Sequence, residues 1–283
     1  MRPPLDPDSQ AATSAGGRCE RCHGAVRRAA VCGLILLLAV SALSATATAA
    51  PTVKLKVEPV PIAGYPGTGY ILGHGTALEA DYTIEGTEYN GFPAPLIGVS
   101  FFLPRGTRLH AAAFPTCPIA VLEPSGKGPA ACPPGSAAGP AGRVLGVVAF
   151  GGELVPEEAT VQPYYAPGGG LEFFTAGHSP VSLEVLSSGH YVNVDSAVFG
   201  QELVSQVPLV QTVPGAPDAS VKSISVKVGS AIRVGGKTVY YGVLPSTCPK
   251  GGFTVRSELT FAGLAGLTQT TVPVSYRAPC PRR

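Results

Sequence analysis

Four cysteines in the later part of the chain, Cys117, Cys132, Cys248 and Cys280, are each followed directly by proline. Proline holds the residue before it in an extended conformation and removes the next backbone N–H. A sulfur placed this way sits on a fixed backbone, which suits a permanent crosslink better than a redox pair or a metal knuckle. Four cysteines allow three pairings. The pairing nearest in sequence joins Cys117 to Cys132 and Cys248 to Cys280. In the chain-entropy account the first, shorter loop is worth about 3 kcal/mol and the second about 3–4. Zinc sites draw their sulfurs from close pairs supported by histidine. No such pair follows residue 50, so no metal and no cofactor is expected.

The three earlier cysteines are not followed by proline. Cys19-Glu20-Arg21-Cys22-His23 matches the C-x-x-C-H pattern of covalent haem attachment. It stands upstream of an apolar run, on the side of a leader that is not exported, and reads as a chance match. Three further stretches have the letters of a catalytic motif without its setting. Gly177-His178-Ser179-Pro180-Val181 approaches the hydrolase elbow G-x-S-x-G, but Val181 replaces the last glycine and a strand pattern follows instead of a helix. His190 and Asp195 stand nearby as base and orienter, yet five residues apart on a strand they fall on opposite faces. Ala231 to Thr238 resembles a phosphate loop with alanine for its first glycine, in a strand–turn–strand context, so Gly235-Gly236 reads as a hairpin turn. Glu157-Glu158 is an adjacent acidic pair whose side chains diverge on a strand, unlike glycosidase carboxylates facing one cleft.

Aromatic pairs carry the remaining chemistry: Tyr164-Tyr165, Phe173-Phe174 and Tyr240-Tyr241. In each, one ring turns inward and its neighbour outward. Tyr165, Phe174 and Tyr240 are taken as candidate binding residues, able to stack on sugars or a protein partner. Cross-strand packing is the competing account of the same residues.

The elements that would position these groups are strands. Gly (36) and Pro (29) are abundant, charged residues make up only 13% and tryptophan is absent, as in turn-rich all-β chains. Alternation with period two marks Val53–Val57, Leu78–Ile84 and Ile97–Leu103. It continues over 143–150, 159–166, 171–175, 181–186 and 191–198, then in four C-terminal strands around Ile224–Val228, Val239–Val243, Phe253–Phe261 and Thr270–Tyr276. Thr116 is placed to cap one helical turn over Pro118–Leu122. Residues 1–49 read as a leader with a signal peptide: arginines, an apolar run over 29–43, and A-x-A sites ending at Ala47 and Ala49. An uncleaved anchor is the alternative, and a membrane would be met only there. The expected fold is a predominantly antiparallel β-sandwich, as one unit or two packed units. Its parts are a β-rich unit over 50–205 with the cysteine loop at 114–136, a Pro-rich linker or crossover over 206–218, and a four-stranded unit over 219–283.

The leader carries the whole positive surplus and the body is balanced, so nucleic acid is not an expected partner. The stretches Phe114–Cys117, Gly128–Ser136, Val213–Ser220, Lys237–Gly242 and Cys248–Phe253 resemble a group of exported actinobacterial proteins. That resemblance covers roughly residues 97–280 and implies a secreted, disulfide-bonded β protein; it transfers no catalytic residue. The expectation is a non-enzymatic secreted or cell-surface protein, structural or binding, with a cell-wall glycan or another surface protein as candidate partner. The alternative is an extracellular hydrolase or carbohydrate-active protein whose site is assembled from distant strands.

Overall fold

The computed structural model describes residues 50–123, 125–263 and 268–281. The leader, with Cys19, Cys22, His23 and the apolar run, lies outside the described residues. From Thr48 onward the chain clusters as one unit.

The fold is all-β and sandwich-like, and every strand pairing in it is antiparallel. Strands β1 (Thr52–Val60), β2 (Gly75–Glu85), β3 (Leu96–Pro104) and short β4 (Arg108–Leu109) come first. The cysteine loop follows and holds one helical turn, α1 (Ile119–Leu122). Next come β5 (Gly142–Phe150), β6 (Glu153–Tyr165), β7 (Leu171–Ser179), β8 (Leu183–Asn193) and β9 (Phe199–Gln206). The last part supplies β10 (Ser220–Val228), β11 (Ala231–Val234), β12 (Lys237–Tyr240), β13 (Gly242–Val243), β14 (Phe253–Phe261) and β15 (Thr270–Ala278).

One ladder runs β15-β14-β3-β9-β8-β7-β6-β5-β10-β2, and β1 pairs with β2 at its end. Short β13 and β4 extend from the beginning of β2, and β11–β12 is a separate hairpin. The two end strands, β1 and β15, lie against each other without a paired register. The twisted sheet therefore rolls until its ends meet, and its inward faces oppose one another. Tyr82 on β2 donates across this interior to Ser257 Oγ on β14 at 3.0 Å, and Ser257 donates on to the Ser100 carbonyl of β3 at 2.7 Å. The end strands carry edge chemistry in their sequences, Lys54, Lys56 and Pro59 on β1 and Pro273 on β15.

The strands on either side of residues 206–218 interleave. β10 lies between β5 and β2, and β14 pairs with β3. The Pro-rich segment spans one end of the roll from β9 to β10. Val207 N donates to Ile97 O, Ala219 N to Val210 O, and Thr212 Oγ1 to Ala149 O.

Three local expectations change. The strands placed over 181–186 and 191–198 are one strand, β8, followed by β9, because Ser187-Ser188-Gly189-His190 is strand and not turn. Tyr241 stands between β12 and β13 instead of inside a single strand over 239–243. Helix α1 forms, but its first turn has no side-chain cap; Pro118, not Thr116, occupies that position.

Candidate functional site

Inward positions along the roll are notably small. Ala80 on β2, Gly146 on β5, Ala159 on β6, Thr175 on β7, Ser187 on β8 and Ser205 on β9 all face the interior. Between them stand Val99, Val144, Val148, Val161, Val185, Ile224, Val226 and Val255. Strands favour such β-branched residues; with small side chains at these central positions, the Leu, Phe and Tyr residues that also line the roll leave space between them. A continuous apolar cavity of about 270 Å³ remains, walled by residues from β1–β10 and β13–β15. That is close to the lower end of the roughly 300–1,000 Å³ of small-molecule sites.

The two ends of the cavity differ. At the end where β7 begins, Tyr165, Tyr241, Phe114 and Leu171 form a buried plug. The Tyr165 and Tyr241 rings lie 4.4 Å apart, and Phe114 stands 4.8 Å and 5.6 Å from them. Tyr165 Oη bonds Ser230 Oγ at 2.7 Å. Tyr241 is 2% exposed and its hydroxyl has no hydrogen-bond partner. His74 Nδ1 and Gln201 Oε1 are also buried without partners, but of the three residues only Tyr241 lines the cavity. Tyr191 lines it beside Tyr241. Their hydroxyls influence each other's titration without meeting hydrogen-bond geometry. Burial pushes Tyr191 up to about 12, the Tyr241 contact working against it, and burial drives Tyr241 higher still.

The opposite end is covered by the 206–218 crossover, whose Val207, Pro208, Leu209 and Val210 line the cavity. Glu157 is the buried carboxylate here. Its two oxygens accept from the backbone N–H groups of Ser179 and Val181, each at 3.2 Å. Leu209, exposed, is at this end of the cavity, and Phe150 and Val213 are exposed apolar residues nearby in sequence. Phe150 and Val213 also line a surface groove with Val181 and Pro217.

The cysteine loop is a plate on the outside of the sheet. Cys117–Cys132 and Cys248–Cys280 are bonded as the nearest-neighbour pairing expects. Cys117 N donates to Tyr165 O at 2.8 Å and Tyr165 N to Ser136 O at 2.9 Å, fastening the loop to β6. Cys117 and Leu122 then bury Tyr164, Phe174 and Ala176 on the outer face. Under the same cover, Glu172 accepts from Ser188 Oγ at 2.5 Å. Burial raises its carboxyl above the usual range, and the Ser188 bond opposes that rise.

The structure does not bring the three candidate binding aromatics together as an exposed platform. Tyr165 points inward and is 1% exposed; Phe174 points outward but is 7% exposed beneath the loop. Tyr240 is half-buried against His74 and Tyr65, with ring centres 5.0 Å and 6.2 Å away. Tyr164 and Phe173 complete the pairs in the opposite directions, so the alternation holds while the accessible member is missing. The hydrolase-like residues also stay apart. Ser179 lies at one end of the β7–β8 hairpin and His190 beyond the other, since Leu171 pairs with Gly189. Eight residues at ~3.3 Å each separate them by roughly 26 Å. Gly235 and Gly236 both have positive φ, 56° and 78°, joining β11 to β12 in a tight hairpin instead of a phosphate loop. Among the described residues no group of three His, Cys, Asp or Glu side chains gathers as a metal site.

No family profile, curated protein or solved structure matches the chain. The functional reading rests on the interior alone. Sequence reasoning missed it, although the small residues at inward strand positions were its signal.

Proposed function

We propose that the mature protein is a non-enzymatic binding protein of the extracytoplasmic space that holds an apolar small molecule inside its rolled sheet. The observation that carries this reading is the cavity of about 270 Å³, continuous and almost wholly apolar, lined by residues of thirteen strands. A sheet built only for stability would fill that room. At about 24 cal/mol per Å³, leaving it open costs on the order of 6 kcal/mol, comparable with the roughly 5–15 kcal/mol net stability of a whole domain. Two disulfides are compatible with an oxidising compartment, and the leader and the actinobacterial resemblance support export.

The test is binding of an uncharged apolar fluorophore, measured by its emission, to the body beginning at Ala50. Saturable binding is expected in the wild type. Filling the cavity with Ala159→Phe together with Ser187→Leu should weaken it at least tenfold while the thermal midpoint holds or rises. Unchanged binding in a folded double variant would move the site off the interior and defeat the proposal.

A further inference from the structure

The chemistry of the lining goes further than "apolar", on the reading that the cavity is a ligand site. Its residues include no lysine, arginine or histidine, and its one carboxylate is Glu157. The two N–H groups that hold Glu157 come from the backbone of Ser179 and Val181. Burying an ionised carboxylate or phosphate costs several kcal/mol unless a charge partner and hydrogen bonds compensate. This wall offers an anion no partner and places a carboxylate against it. The one charged group of the wall, Glu157, stands at the crossover end, so a cationic head carried in toward Tyr191 and Tyr241 would meet no carboxylate there.

The opposite end has what a neutral polar group needs. Tyr241 holds a phenolic O–H that is buried and unpartnered, and Tyr191 of β8 lines the same cavity. A buried donor left unpaired costs about 1–3 kcal/mol. A phenol whose ionisation burial suppresses remains a donor at every physiological pH.

We infer that the cavity selects an electrically neutral lipid whose polar function is a hydrogen-bond acceptor, an ester or ketone carbonyl. The carbonyl lies toward Tyr191 and Tyr241 and the hydrocarbon chain runs toward the 206–218 crossover. Free fatty acids and phospholipid head groups are excluded by charge, not by size. The polar end enters first, and Val207, Leu209 and Val210 of the crossover meet the tail.

Displacement of the uncharged fluorophore by four compounds of one chain length tests this: dodecane, methyl dodecanoate, dodecanoate at pH 8 and dodecyltrimethylammonium. The ester is expected to bind several-fold tighter than the alkane and at least tenfold tighter than either ion. Tyr191→Phe with Tyr241→Phe, which removes only two oxygens, should leave alkane affinity intact and bring the ester down to it. Either ion matching the ester overturns the neutral-lipid inference, as does an ester-to-alkane ratio unchanged in the double variant. Both results leave the cavity as an apolar site. If neither the fluorophore nor the alkane binds, the site itself is refuted, and this inference with it.

Discussion

Tyr82 donates to Ser257 Oγ across the interior, and Ser257 passes the chain on to the Ser100 carbonyl. Ser257 is fully buried, so Ser257→Ala leaves the Tyr82 hydroxyl without an acceptor where water cannot replace it. The expected loss is about 1–3 kcal/mol in urea unfolding, with partial recovery on adding Tyr82→Phe, which removes the orphaned group. Equal stability of the wild type and Ser257→Ala would show that the bridge is not formed. Glu172 gives a residue-level pH dependence. Its folded carboxyl titrates above the ordinary 4.5 because burial disfavours the charge. Its contribution is therefore fully present below the unfolded value and is lost as pH rises through the raised folded value. Glu172→Gln keeps a partner for Ser188 and removes the charge. The variant should gain on the wild type as pH climbs from 4 to 7, read as a widening difference in urea midpoint. Parallel curves would count against it.

At the scale of elements, the cysteine loop is the clearest case of a segment that was legible in chemistry and illegible in place. Proline after each cysteine made a fixed crosslink readable, and the nearest-neighbour pairing is the one present. What the loop covers was not readable, because Tyr164, Phe174 and Ala176 look like any outward strand positions until Cys117 and Leu122 pack on them. The same limit explains β8. Ser187-Ser188-Gly189 has turn composition, yet Ser187 is on the cavity wall and Gly189 sits where a Cβ would come within 3.0 Å of Leu203. The small residues that make room for a ligand are the ones that disguise the strand as a loop. Alternation located most of the other strands, since period two survives wherever one face is drier than the other. Replacing Cys117 and Cys132 together by alanine should cost about 3 kcal/mol, the closure entropy of a loop with sequence separation 15. It should also raise the exchange rate of the Cys117 and Tyr165 amides, which donate to Tyr165 O and Ser136 O and tie the loop to β6. An unaltered exchange pattern would mean that packing alone fixes the plate.

On the scale of the whole molecule, the roll has one joint that is not a ladder. β1 and β15 lie together without paired residues, while each is fully paired on its other side. Most of the remaining wall is hydrogen-bonded sheet, so the seam and the 206–218 crossover are where the interior can open at least cost. Local opening follows the elements with fewest such bonds. The wide pairing of β5, β6 and β7 predicts slow amide exchange there and faster exchange in β1, β15 and the crossover. A ligand held inside touches both sides of the seam, since Val57 of β1 and Val255 of β14 line the same cavity. It stabilises the closed roll by RT ln(1 + [L]/Kd), about 2.7 kcal/mol at a hundredfold excess over Kd. Saturating methyl dodecanoate should therefore raise the thermal midpoint and slow exchange at the seam by more than at β6. A midpoint rise with uniform slowing would place opening at global unfolding. Slowing confined to β7 and β8 would make their hairpin the gate instead of the seam.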